Sequence, residues 1–179
     1  GQRQFIAAVD EIPVPSAWDE ADFRRYNRLE QLALSCTARA LDDAGLGDER
    51  GGLRIGIVLG LGAEYLRVWE LDTLSGGNRV YTPDRDLLSV VHFVHRELGL
   101  TGPAVSVAAA CASGGYALGV ARRWIQLGWV DVCLAGGCDL ITPMSYGGFY
   151  NLRALSRRDD SPSLASRPFD RARDGFVMG

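Results

Sequence analysis

The thiol of Cys111 stands in the stretch VSVAAACASGGYALG, residues 105–119, where almost nothing around it has bulk. A short apolar run ahead of it and a helical pattern after it place Cys111 on a tight strand-to-helix turn. The small neighbours Ala110, Ala112, Ser113, Gly114 and Gly115 let backbone and substrate come close to the sulfur. A helix N-terminus at that point offers N–H groups and partial positive charge, which favour a thiolate and can hold the oxyanion of a tetrahedral intermediate. The competing reading is packing, because cysteine is among the most often buried residue types and an Ala-rich strand suits a core. This window alone leaves both readings open.

The other thiols have no comparable turn. Cys36 falls on the apolar stripe of a helix, and Cys133 and Cys138 lie beside a strand end, so all three read as structural. His92 and His95 precede the Cys111 strand on a helix, where solvated or packed roles fit them. All 19 basic residues are Arg, which excludes a Schiff-base or general-base lysine from this chain. No CxxC pair and no secretory leader is present, so the expectation is no disulfide framework, no metal site and a reducing cytoplasmic location.

A formal net charge of −3 gives no general attraction to nucleic acid or to an anionic membrane, although Arg153, Arg157 and Arg158 can meet an acidic partner locally. The least charged window, 104–121, is built of Ala, Gly and Ser rather than Leu, Ile or Phe, and falls short of a membrane span. With 179 residues, 47% hydrophobic and 23% charged, the chain has the size and composition of one globular domain able to bury a core. It starts without Met and stops at DGFVMG, which reads as cut ends.

The elements that must position Cys111 follow from periodicity. Leu29, Leu32, Ala33, Cys36, Ala40, Leu41 and Ala44 recur at helical spacing within 22–44, with Gly45 as a stop. LRIGIVLGLG, 53–62, reads as a strand buried on both faces. Pro83 and Asp84 start a second helix with a stripe at Leu87, Val90, Val91 and Val94, closed by Gly99. AVSVAAA reads as a short buried strand, ASGGYALGVARRWIQLG as a helix closed by Gly128, and VDVCLAGGCD as the next strand. Strands alternating with helices imply an α/β layered sheet. Beyond Thr142 and Pro143 periodicity fades into a long segment without obvious elements, as expected of one that covers a site or an interface.

VSVAAACASGGYALGVARRWIQLGWVDVCLAGGCDLITP, followed by GGFYNLRALS and ASRPFDRARDGFVMG, resembles the β-ketoacyl synthase family of condensing enzymes. A weaker likeness runs back through GNRVYTPDRDLLSVVHFVHRELGLTGPAVSV to the helix at Leu29, so the resemblance covers nearly the whole chain. The stretch RRDDSPSLASRPFDRARDGF is more similar to the discrete, stand-alone elongating synthases than to modules of megasynthases. What the resemblance implies is an α/β thiolase-like fold, α/β/α/β/α when complete, with residues 1–179 as the N-terminal half and a mixed, largely parallel sheet. The matching Cys111 would take an acyl group from acyl carrier protein as a thioester, ahead of decarboxylative condensation with a malonyl unit in fatty acid or polyketide elongation.

By the same resemblance, Phe149 and Gly148 would line the acyl pocket, with Gly147 and Gly148 giving a loop room to move. Arg79 and Arg153 would meet the acidic carrier and its phosphopantetheine, which is the carrier's own group, so no bound cofactor is expected. Asp139, Arg167, Asp170, Arg171, Arg173 and Asp174 would form an interlocking, loop-holding charge set rather than acid–base groups. The partners implied are acyl carrier protein and a second copy, or a related synthase subunit, in a dimer.

The two active-site histidines, a lysine and the second oxyanion donor of the family would lie in the other half, with the first strand also outside these residues. The 179 residues alone are therefore expected not to condense two acyl units. Two other functions compete with this one. A non-catalytic, chain-length-determining synthase-like subunit typically lacks the nucleophile that Cys111 retains. A cysteine-elbow α/β hydrolase needs a His and an Asp later in the chain, and no His follows His95.

Overall fold

The computed structural model describes residues 4–47, 50–62, 64–77 and 89–179. The elements run α1 (Glu20–Arg25), α2 (Arg28–Asp43), β1 (Ile55–Gly60), α3 (Glu64–Leu74), α4 (Val90–Glu97), β2 (Ala104–Val107), α5 (Ser113–Gln126), β3 (Val132–Gly137), α6 (Pro143–Asn151) and α7 (Pro162–Ala165). They fall into two compact units, one of Ile12–Leu140 and one joining Gly1–Glu11 to Ile141–Gly179.

In the unit Ile12–Leu140 the described strands form a parallel sheet in the order β2-β1-β3, so β1 is central. Every residue of β1 is buried. Ile55, Ile57 and Leu59 pack into a cluster with α2 and α4 through Leu34, Leu41, Val91 and Val94. Val58 packs the other way, with Ala117, Ala121 and Trp124 of α5. Helices on both faces explain why β1 reads as one apolar run instead of an alternation.

The expected single helix over 22–44 is two. Asp19 caps α1, and Asn27 and Glu30 form a capping box that restarts the chain as α2, a break marked only by that pair of polar side chains. Within α2 the buried face runs through Leu29, Ala33, Leu34, Thr37, Ala38 and Leu41, whereas Cys36, Ala40 and Ala44 are exposed, so the expected stripe is rotated and Cys36 is not in the core. Three glycines end helices as read. Gly45, Gly99 and Gly128 take φ of +70°, +57° and +68°, and the residue after each returns an N–H to a carbonyl of the last helical turn.

Other expectations shift. The strand foreseen over 104–110 pairs only as Ala104–Val107, lies at the edge of the described sheet, and is half-buried to exposed. The start expected at Pro83, with Leu87, lies outside the described residues, and α4 is described from Val90. Helix α3 had no counterpart in the sequence reading.

The unit holding Ile141–Gly179 corrects the expectation of a segment without elements. Thr142 and Ser145 make a capping box with Pro143 in the first turn of α6, and Pro162 opens the short α7. Gly147 and Gly148 are therefore helical rather than parts of a loop. Here Ser156 N–H donates to Phe176 O at 2.9 Å and Phe176 N–H to Ala154 O at 3.0 Å, while Ala7 N–H reaches Met178 O at 2.7 Å.

Candidate functional site

Cys111 is exposed, and it sits between the end of β2 and the start of α5 as the residue types imply. The turn that carries it is built from its neighbours. Ala110 has φ +47°, left-handed backbone in a residue with a Cβ, a form that costs an ordinary L-residue about 1–2 kcal/mol. The Ser113 hydroxyl donates to Ala110 O at 2.6 Å and accepts the N–H of Ala109 at 2.8 Å. The backbone N–H groups of Ala112 and Ser113 donate to Ala109 O and Ala110 O at 3.0 and 3.1 Å. These two helix-start donors are consumed in holding the turn, which corrects the picture of a wholly free N-terminus.

Glycines bring the turn against the sheet. A Cβ on Gly60, the last residue of β1, would lie 2.3 Å from the Ser113 carbonyl carbon and 2.5 Å from Gly114 N, so only glycine lets the first turn of α5 press onto the strand. A Cβ on Gly62 would lie 3.1 Å from Ala110 O, and the Gly62 N–H donates to Asp139 Oδ2 at 3.0 Å. Asp139 thus braces the end of β1, and through it the peptide before Cys111.

The remaining thiols differ. Cys133, on β3, is half-buried against the Val58–Ala117–Trp124 cluster, with its Sγ 3.6 Å from Leu134 O. Burial pushes its thiol up to about 11. Cys138 packs against the other cluster. His95 Nε2 lies 2.8 Å from Gly102 O and His92 is exposed, so neither faces a reacting group in this unit. Among the described residues no group of three or more His, Cys, Asp or Glu is placed to hold a metal ion, and no helix is long and apolar enough to cross a membrane.

Gly148, Phe149 and Arg153 come together on α6 and the turn that ends it, in the other unit. The Phe149 ring meets Phe176 edge-on, centroids 5.1 Å apart, while Gly148 is exposed with nothing within 4 Å of where a Cβ would stand. Arg153 is exposed at φ +54° and has no ion pair among the described residues. Arg79 lies outside the described residues.

The expected charge set resolves into local pairs. Arg167 meets Asp170 at 3.6 Å and Arg158 meets Asp174 at 3.9 Å, with Asp139 bonded instead in the unit of Cys111. Asp174 also accepts from Arg157 N–H and Ser156 Oγ, both at 2.8 Å; those hydrogen bonds, the backbone one first, hold its carboxyl below the usual range. These contacts hold loops. Beside them lies an open cleft of about 780 Å³, lined by Arg167, Phe169, Arg171, Arg173 and Phe176, with Phe169 99% exposed. The sequence reading did not foresee the bracing role of Ser113 or the cleft. A Ser three residues after a left-handed Ala is a local turn signal, but nothing in the sequence says that Ala110 is left-handed.

A family model described as β-ketoacyl synthase, N-terminal domain, matches residues 6–179. The chain is 35% identical over 185 residues to a 3-oxoacyl-[acyl-carrier-protein] synthase 2 of Synechocystis sp., covering 98% of this chain and 44% of that protein. It therefore spans less than half the length of that curated relative. Among solved structures, a β-ketoacyl synthase from Burkholderia phymatum superposes with a TM-score of 0.75 at 29% identity, over 94% of this chain and 43% of the other. A type II polyketide ketosynthase, bound to a hexaketide and in complex with its acyl-carrier protein, gives 0.70 at 28% identity, over 84% and 41%.

Proposed function

The chain belongs to the β-ketoacyl synthase family, and from that premise we propose that it supplies the acyl-accepting thiol of a condensing acyltransferase in fatty acid or polyketide elongation. One observation carries the reading: an exposed thiol on a braced strand-to-helix turn, in a chain whose strand thiol, Cys133, is half-buried and hard to ionise. The Cys111 thiolate attacks the carbonyl of an acyl thioester. The new C–S bond forms, the oxyanion collapses, and the bond to the phosphopantetheine sulfur breaks, that sulfur leaving as a thiol once protonated. A malonyl unit on a second carrier then loses carbon dioxide. Its carbanion attacks the Cys111-bound acyl group, releases the thiolate and leaves a β-ketoacyl chain on the carrier. A soft sulfur suits both halves, being a strong nucleophile and a good leaving group. The main-chain N–H of Cys111 and the dipole of α5 favour the developing oxyanion.

In this reading the chain is the N-terminal half of the complete synthase, and the donors that steady the carbanion come from the rest of it. Phe149 and Gly148 border the acyl chain, and Arg79 and Arg153 receive the acidic carrier protein, which brings phosphopantetheine, so the enzyme needs no cofactor of its own. The likeness to a ketosynthase solved with its acyl-carrier protein supports that partner. A second copy or a related subunit completes a dimer, in the cytoplasm. Retention of Cys111 argues against the chain-length-determining reading.

The test is condensation by the full-length protein from an acyl thioester and malonyl carrier protein. A β-ketoacyl product, lost in Cys111→Ala, is expected. No product from the wild type, or product that persists in Cys111→Ala, overturns the proposal.

A further inference from the structure

The groups that hold the turn before Cys111 are not the group that reacts, and one of them is a buried hydroxyl. Ser113 is 3% exposed, and its Oγ bonds to the peptide groups that flank the Ala109–Ala110 pair: it accepts from Ala109 N–H at 2.8 Å and donates to Ala110 O at 2.6 Å. Ala110, the second residue of that pair, has φ +47°. Left-handed backbone in an alanine persists only where the surroundings over-determine it, and such strain gathers where geometry matters to a reaction. Burial shields this clasp from competing water. Its seat is fixed in turn, because Gly60 lets the Ser113 backbone lie directly on β1 and Gly62, tied to Asp139, backs against the Ala110 carbonyl.

We propose that Ser113 is a positioning residue for the Cys111 thiol, its hydroxyl bridging Ala109 and Ala110 to hold Ala110 left-handed and so set where the sulfur meets an acyl carbonyl. This rests on the reading of Cys111 as acyl acceptor. Attack on a thioester needs the sulfur and the carbonyl carbon in near-contact and aligned, and a misplacement of about 1 Å costs on the order of 100-fold. Without the hydroxyl, Ala109 N–H loses its acceptor and Ala110 O one of its donors, and only the two backbone bonds from Ala112 and Ser113 N–H and the packing oppose relaxation of the turn.

The test uses the full-length protein and an acyl-pantetheine thioester, with loading of Cys111 timed by rapid-quench mass spectrometry and thermal melts run alongside. Ser113→Ala is expected to load about 10- to 100-fold more slowly at unchanged KM. Ala110→Gly occupies left-handed backbone freely, so placed in the Ser113→Ala background it is expected to restore loading by about 3-fold or more. A helix-start serine with only a structural role would show no such rescue. Ser113→Ala loading at the wild-type rate, or a folded double variant no faster than Ser113→Ala, overturns the assignment. If Ser113→Ala alone fails to fold, recovery of folding and loading in the double variant supports the clasp, and its failure overturns it. If the wild type accepts no acyl group, the acyl-acceptor reading is what fails, and iodoacetamide alkylation of Cys111 then judges Ser113. A changed rate in Ser113→Ala that returns toward wild type in the double variant supports the clasp, and one common rate overturns it.

Discussion

Cys111 and Cys133 belong to the same compact unit and have opposite surroundings. Cys111 follows β2 on an exposed turn braced by Ser113, while Cys133 lies in β3 against Val58, Ala117 and Trp124, its thiol pushed up to about 11 by burial. The residue type is the same, so placement decides the chemistry. A thiol in apolar packing keeps its proton, whereas one at a strand-to-helix turn meets solvent, small neighbours and a helix N-terminus. Exposure alone is not the distinction, since Cys36 is exposed on α2 without such a turn.

The largest effect expected from this contrast is on acyl loading. Cys111→Ala should lower it by roughly 10⁴-fold or more, as loss of a nucleophile does, while Cys133→Ala should stay within about 2-fold of wild type on the same principle. Comparable losses in both would erase the distinction between the thiols.

Next in size is the reluctance of Cys133 to ionise. With a thiol near 11, about one molecule in a thousand carries the thiolate at pH 8. Alkylation of Cys133 in the folded protein should therefore be slow at pH 8 and climb steeply toward pH 11, a profile readable by peptide mass mapping. The linkage has the same sign. Between the ordinary thiol value and about 11 the native chain holds a proton that the unfolded chain has released, so the Cys133 contribution to stability falls as pH rises across that window and is constant below it. Alkylation of Cys133 at an ordinary thiol rate near pH 8 would refute its placement.

Gly60→Ala tests the seat of the turn. Its Cβ would stand 2.3 Å from the Ser113 carbonyl carbon, an overpacking expected to cost about 3 kcal/mol. Acyl loading should fall together with the melting temperature, and an unchanged melt would mean the close approach is dispensable.

The smallest effect belongs to Arg153, in the other unit. Arg153→Glu is expected to weaken use of the carrier protein about 10-fold while leaving turnover of a small thioester unchanged, because a rim charge acts on docking. Equal losses with both substrates would remove Arg153 from the docking surface.

How legible this was in the sequence depended on the kind of signal. The central strand was plain in LRIGIVLGLG because a strand covered on both faces is one apolar run, and Gly45, Gly99 and Gly128 marked helix ends because each takes positive φ. The position of Cys111 between strand and helix was readable for the same reason. The break at Asn27 was hidden inside a continuous helical pattern, since a capping box changes two polar side chains and leaves the apolar spacing intact. Helix α6 was missed because its sequence, PMSYGGFYN, has little apolar stripe and two glycines, although Thr142 and Pro143 announce its start. The Gly62–Asp139 brace arises from tertiary approach, which residue order does not encode locally, and the Ser113 clasp, though local, depends on a left-handed Ala110 that no residue type there announces.

The most direct measurement for the central claim is the location of the acyl group. The full-length protein is incubated with acyl carrier protein bearing an acyl thioester, quenched in acid, digested and mapped by mass. The acyl mass increment is predicted on the peptide containing Cys111 and on no other; an acyl group on Cys36, Cys133 or Cys138, with Cys111 unmodified, would contradict the account.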